Sequence, residues 1–166
     1  MREVLIIRSV SFQQLDHNLP VIQEHFTGAR FTLLTHEHGV KLAEKYSGID
    51  RVIPYTHREG FSYVHQAERL KGISFDDVII PVGNESGYGF YNVMLFSLSI
   101  KARQRWICNL RSELTLISVL DILLTGLRNT LYKVLSLCAT SLLFIVSILV
   151  IPLLLINIKV KEEKGS

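Results

Sequence analysis

Residues 4–26, VLIIRSVSFQQLDHNLPVIQEHF, decide how the rest of the chain is read. They open with a short β-branched run, VLIIR, and pass through a polar turn. Leu19, Ile22 and Phe26 then recur at helical spacing on one side, which makes a βα unit. The same alternation returns downstream. RFTLLT (30–35) precedes a helix near 40–45, and RVIP (51–54) precedes a polar segment to Leu70. DVIIPV (77–82) precedes a helix over 91–100, and RWIC (105–108) supplies a fifth strand. Strands that are apolar throughout and separated by helical segments pair in parallel, with helices covering both faces. The predicted architecture is a Rossmann-like α/β sheet.

In such sheets ligands meet the loops leaving the carboxyl ends of the strands. Four loops qualify: SVSFQQ (9–14), HEHG from His36, YTHREGFS (55–62) and GNESGYGFYN (83–92). In the last, Gly87 and Gly89 open a helix directly after a strand. They are read either as turn glycines or as backbone brought close to a phosphate or sugar. The pattern lacks the third glycine of a dinucleotide fingerprint and follows the fourth strand, so a dinucleotide-dependent enzyme is disfavoured. Asn84, Glu85, Ser86 and Asn92 supply donors and acceptors suited to glycan hydroxyls. Tyr88, Phe90 and Tyr91 either stack on a sugar or pack. His36, Glu37 and His38 point alternately, without a third ligand cluster, so no metal is expected. In the third loop Arg58, with Tyr55, His57 and Glu59, reads equally as a phosphate clamp and as a solvated turn. No cofactor is called for.

The chain has 166 residues, of which 48% are hydrophobic and 20% charged, a balance that excludes a disordered tail. The apolar excess is concentrated in residues 134–158, VLSLCATSLLFIVSILVIPLLLINI, which carry no charge. As a helix this run spans roughly 37 Å, enough for a hydrocarbon core of about 30 Å. Pro152 is tolerated in a membrane helix, with a kink or re-entrant bend as the alternative geometry. Residues 101–133 hold Lys101, Arg103, Arg105, Arg111, Arg128 and Lys133 against Glu113 and Asp121. That basic excess favours a single-pass topology with a cytoplasmic N-terminal domain, and an affinity for membrane lipid rather than nucleic acid. Residues 113–127, ELTLISVLDILLTGL, read as an interfacial helix or as the last helix of the soluble domain. The expected organisation is a domain over 1–112, a juxtamembrane segment over 113–133, a transmembrane helix over 134–158 and a charged tail over 159–166. Cys108 and Cys138 are isolated and predict no disulfide.

The order VLIIR, a serine-containing turn, NLPVIQEHFTGARFTLLTHE, RVIPY and FDDVIIPVGN resembles the N-terminal half of the heptosyltransferase-like glycosyltransferases, family 9, of GT-B fold. Arg8, Ser11, Leu19, Pro20, Val21 and Ile22 sit in the family's register, and the resemblance covers roughly residues 3–112. It implies a role in cell-envelope polysaccharide or lipopolysaccharide assembly, at a bacterial inner membrane. The binding site it implies uses Arg8, Ser11 and Gln14, with Asn84, Gly87, Gly89 and Asn92 across the cleft. Where the family has Gly-Asp, this chain has Gln13 and Gln14. The family's aspartate is its proposed general base, and a glutamine amide cannot take that proton. A GT-B enzyme also binds its nucleotide-sugar in a second Rossmann domain, where this chain turns apolar. The resemblance therefore points to an acceptor-side domain that binds a lipid-linked glycan acceptor and relies on a partner glycosyltransferase for the donor. The alternative is a non-catalytic, membrane-tethered glycan-binding or scaffold module.

Overall fold

The computed structural model describes residues 1–57, 60–65 and 68–164. Six strands form one sheet: β1 (Glu3–Ile7), β2 (Arg30–His36), β3 (Arg51–Tyr55), β4 (Ser74–Pro81), β5 (Lys101–Cys108) and β6 (Leu114–Ile117). Their order is β3-β2-β1-β4-β5-β6. The first five run parallel, and β6 returns antiparallel to β5, with Cys108 opposite Leu114 and Arg105 opposite Ile117. The helices are α1 (Phe12–His25), the single-turn α2 (Val40–Ala43), α3 (Tyr91–Ser97) and α4 (Val119–Lys164). This is a Rossmann-like α/β fold followed by a long apolar helix.

The strands read as continuous apolar runs because both faces are covered. Val4 and Ile6 of β1 pack with Leu15, Leu19 and Ile22 of α1, while Leu5 and Ile7 pack with Val93, Met94 and Phe96 of α3. Successive strand residues point to opposite faces, so one run feeds two cores. At the amino ends of the strands Asp77 is fully buried. Its carboxylate accepts two hydrogen bonds from Arg2, at 2.5 and 2.9 Å, and one from Trp106 Nε1 at 2.9 Å, tying β1, β4 and β5 together.

Residues 113–127 are not one helix. Leu114–Ile117 form β6, because the turn after β5 reverses the chain. Asn109 Oδ1 accepts the N–H groups of Arg111 and Glu113, and Ser112 adopts φ 62°. The helix starts instead at a reciprocal cap, in which Ser118 Oγ accepts from Asp121 N and Asp121 Oδ2 accepts from Ser118 N. Strand β5 also begins earlier than the RWIC run, at Lys101.

The chain divides into two compact units, residues 1–123 and the rest from Leu124. Within the first, Ile122 is buried in the α3-side core. Residues 119–152 of α4 are long and apolar enough to cross a membrane, and its residues 131–152 are all exposed. Pro152 lies inside the helix without ending it. Thr140 donates to the Ser136 carbonyl and Ser147 to the Leu143 carbonyl, so these hydroxyls are satisfied within the helix.

Candidate functional site

The strand order reverses direction between β1 and β4, the point at which open α/β sheets form a crevice beyond their carboxyl ends. A cleft of ≈ 370 Å³ lies at these ends, lined by Arg8, Ser9 and Val10 after β1, His36 and His38 after β2, Gly60 and Phe61 after β3, and Gly89, Phe90, Asn92 and Val93 after β4. All four predicted loops reach it.

Arg8 is held rigidly. Its Nε donates to Thr35 Oγ1 at 2.6 Å, its Nη1 donates to the Val10 carbonyl at 3.1 Å, and its guanidinium stacks 4.5 Å from the Phe12 ring centroid. Burial pushes its pKa down, but a guanidinium starts so high that it stays charged. The His36 pKa is lowered, first by burial and then by the neighbouring Arg8 and His38. His36 is therefore neutral at pH 7, with one ring nitrogen a donor and the other an acceptor. Its ring lies 4.7 Å from that of Phe61 and 5.8 Å from His38, with which it is stacked. The strand alternation stops at His36, where Glu37–Gly39 turns into a 3-10 helix, and this brings the two histidines together.

The wall formed by Gly60 and Phe61 is held in place from behind by the buried Tyr55. Its hydroxyl donates to the His65 carbonyl at 2.9 Å and accepts from Ser62 N at 3.2 Å, which folds the loop after β3. Burial raises the Tyr55 pKa, so the hydroxyl keeps its proton. Asn92 Nδ2 reaches the Phe61 carbonyl at 3.4 Å. The cleft thus combines one fixed cation, a neutral imidazole, an amide and two phenyl faces, Phe61 and Phe90. Arg58 and Glu59 lie outside the described residues. Among the described residues no three His, Cys, Asp or Glu side chains gather as metal ligands.

Of the seven binding-site residues that the resemblance implies, Arg8, Gly89 and Asn92 line this cleft. The others lie elsewhere. Ser11 is the N-cap of α1, accepting from Gln14 N at 3.2 Å. Gln14 Nε2 donates to Asn18 Oδ1 at 2.7 Å and to the Leu110 carbonyl at 3.2 Å. Since the Leu110 carbonyl can only accept, the amide orientation of Gln14 is fixed, and its Oε1 is the group left over. Leu110 N in turn donates to the Asn84 carbonyl at 3.3 Å, so Gln14 and Asn84 meet across Leu110. The Asn84 side chain donates to the Tyr88 carbonyl at 2.6 Å, closing its own loop.

Gly87 is a packing glycine. Its φ is +71° and an added Cβ would come within 2.7 Å of Met94 Cε. Gly89, with φ +88°, has open space around it. Helix α3 after them has seven residues, with Phe90 at its N-cap and no side-chain cap bond. His36, His38 and Phe61 are among the lining residues that the sequence does not assign to a binding site. The available signal was their position at the ends of β2 and β3, adjacent to β1 in the sheet.

No family model matches the chain, and no curated protein matches it. Among solved structures it is similar to Escherichia coli heptosyltransferase WaaC with ADP, at 25% identity and a TM-score of 0.36, over 47% of this chain and 27% of that one. It is similar as well to the same enzyme with ADP-2-deoxy-2-fluoro heptose, at 27% identity and a TM-score of 0.35, over 47% of this chain and 29% of that one. The matched region spans less than a third of the heptosyltransferase chain.

Proposed function

We propose that the chain is a membrane-anchored, glycosyltransferase-like domain that binds the acceptor side of a cell-envelope glycan, with donor binding supplied by a partner protein. The observation that carries this reading is the cleft at the β1–β4 switch point, where Arg8, neutral His36 and Asn92 face two phenyl rings. Sugar recognition takes this form, with hydroxyls bonded by neutral donors and acceptors and the apolar ring face laid on an aromatic. The fixed guanidinium adds a partner for a phosphate or carboxylate on the same glycan.

Gln14 argues against general-base catalysis from this chain alone. Its amide is spent on Asn18 and Leu110, and its free Oε1 can orient a hydroxyl but cannot deprotonate it. Anchoring through α4 holds the domain beside a lipid-linked acceptor and raises the effective concentration of that acceptor. A non-catalytic scaffold is the second reading, favoured by the same glutamine. Sugar transfer by the full chain reconstituted in nanodiscs with candidate partner transferases separates the two. Turnover that needs this chain and is lost in Asn92→Ala supports the split-site reading. Turnover indifferent to Asn92→Ala and Arg8→Gln supports the scaffold.

A further inference from the structure

The cleft at the carboxyl ends of the strands gathers basic side chains without an acidic one. Arg8, His36 and His38 line it, and no Asp or Glu does so among the described residues. Gly39 shows how the three are brought together. Its φ of −92° asks for no glycine, yet an added Cβ would lie 2.6 Å from Thr35 Oγ1 and 3.3 Å from Arg8 Nη2. The turn that carries both histidines is therefore packed directly on the bond between Arg8 and Thr35, where only a residue without a side chain fits. Nε and Nη1 of Arg8 bond Thr35 and the Val10 carbonyl, and Nη2 donates to no group among the described residues. His36 is half-buried against the rings of Phe61 and Tyr55, at 4.7 and 5.5 Å, whereas His38 is exposed.

We infer that, granted the glycan reading on which this rests, the cleft binds an oxyanion of the glycan together with one proton, which His36 takes up. In the free protein a proton on His36 would sit in a poorly solvated place beside the fixed Arg8 charge, so the imidazole stays neutral. A carboxylate or phosphate held between the guanidinium and the imidazole reverses that balance. One oxygen accepts from Arg8 Nη2 and another from the protonated His36 ring, and the negative charge favours the imidazolium. The other titratable groups nearby do not supply that anion. Tyr55 keeps its proton, and the α3 side contributes Gly89, Phe90, Asn92 and Val93, all uncharged. Glu37 is exposed on the turn between the histidines and does not line the cleft, and Asp16 is engaged by Tyr46. His57 and His65, stacked 3.8 Å apart beside Tyr55, are exposed. Affinity for the anion therefore rises as pH falls through the bound-state value of His36 and levels off below the free-state value.

The probe is D-glucuronate, whose carboxylate stays ionised above about pH 5, titrated calorimetrically into the full chain in neutral phosphatidylcholine nanodiscs, with glucose as the uncharged control. The native protein is expected to bind glucuronate about five- to twentyfold tighter at pH 5.5 than at pH 7.5, since one linked proton allows at most about tenfold per pH unit. Binding near pH 6.5 should take up protons, seen as heats that scale with the ionisation enthalpy of the buffer, while glucose affinity stays level across the range. His36→Gln should flatten the pH dependence, and His38→Gln should leave it in place. A native affinity for glucuronate that is level with pH and lost in Arg8→Gln overturns the proton linkage and leaves the glycan reading standing. Absence of proton uptake by the native protein overturns the linkage even where a variant fails to fold. A pH dependence that survives His36→Gln overturns the assignment to His36. Failure of both glucuronate and glucose to bind overturns the linkage and the glycan reading together.

Discussion

Replacing Arg2 by Met removes the ion-pair partner of the buried Asp77 side chain, and the structure sets the size of the effect. Two charge-assisted bonds are lost, at 2.5 and 2.9 Å, each worth about 1.5–3 kcal/mol in favourable surroundings. The Arg2 side chain is 45% exposed while that of Asp77 is 1% exposed, so water reaches one partner and not the other. Discounting for that screening leaves about 2–3 kcal/mol, because Trp106 Nε1 still bonds the carboxylate. Loss of the guanidinium from the Phe26 ring, 4.7 Å away, adds a further few tenths. Hydrogen exchange is the right assay, since α4 would dominate a bulk helical signal. Amides of β1, β4 and β5 are expected to exchange about 30- to 150-fold faster, at tenfold per 1.4 kcal/mol. In an Asp77→Asn background the same change should cost under about 1 kcal/mol. An acceleration below about fivefold in the native background, the range of an exposed ion pair, would refute the reasoning.

Three further outcomes follow from the site. Gly89→Ala should cost about 1–2 kcal/mol from its left-handed backbone alone; Gly87→Ala should cost more, and Met94→Ala in that background should remove the excess, read from exchange of β4 and α3 amides. Because the folded-state pKa of His36 lies below its unfolded value, the unfolded chain binds the proton more readily. That stability is present above about pH 6.5 and is lost as pH falls through the folded value, so the unfolding midpoint should drop on acidification by less in His36→Gln than in the native protein. Arg8→Lys keeps the charge but forfeits the bonds to Thr35 and the Val10 carbonyl. It should lower stability by about 1–2 kcal/mol and weaken glycan binding in a titration, whereas unchanged binding would remove Arg8 from the site.

The parallel strands were legible because each is a short apolar run fed by two covered faces, and the four loops at their carboxyl ends follow from that pattern alone. Strand β6 was not legible, since LTLISVLDILL satisfies helical and strand periods at once. What decides is the Asn109–Ser112 turn, together with the Ser118–Asp121 cap, whose spacing could have placed the helix start. Arg8, Gly89 and Asn92 were reachable because they sit where strands end. Gln14 and Asn84 sit there too, yet the Gln14 amide is drawn to the carbonyl of Leu110, distant in sequence, and the Asn84 amide to the Tyr88 carbonyl within its own loop. In the sequence His36 and His38 read only as a weak metal pattern. Their stacking depends on the turn after β2, which no pairwise spacing reveals.

The central claim is acceptor-side recognition without donor binding. It is tested most directly by titrating the full chain in nanodiscs with lipid-linked glycan acceptors and with nucleotide-sugars in parallel. The account predicts saturable acceptor binding that weakens in Arg8→Gln and Asn92→Ala, and none for the nucleotide-sugars. Nucleotide-sugar binding, or acceptor binding indifferent to both substitutions, would contradict it.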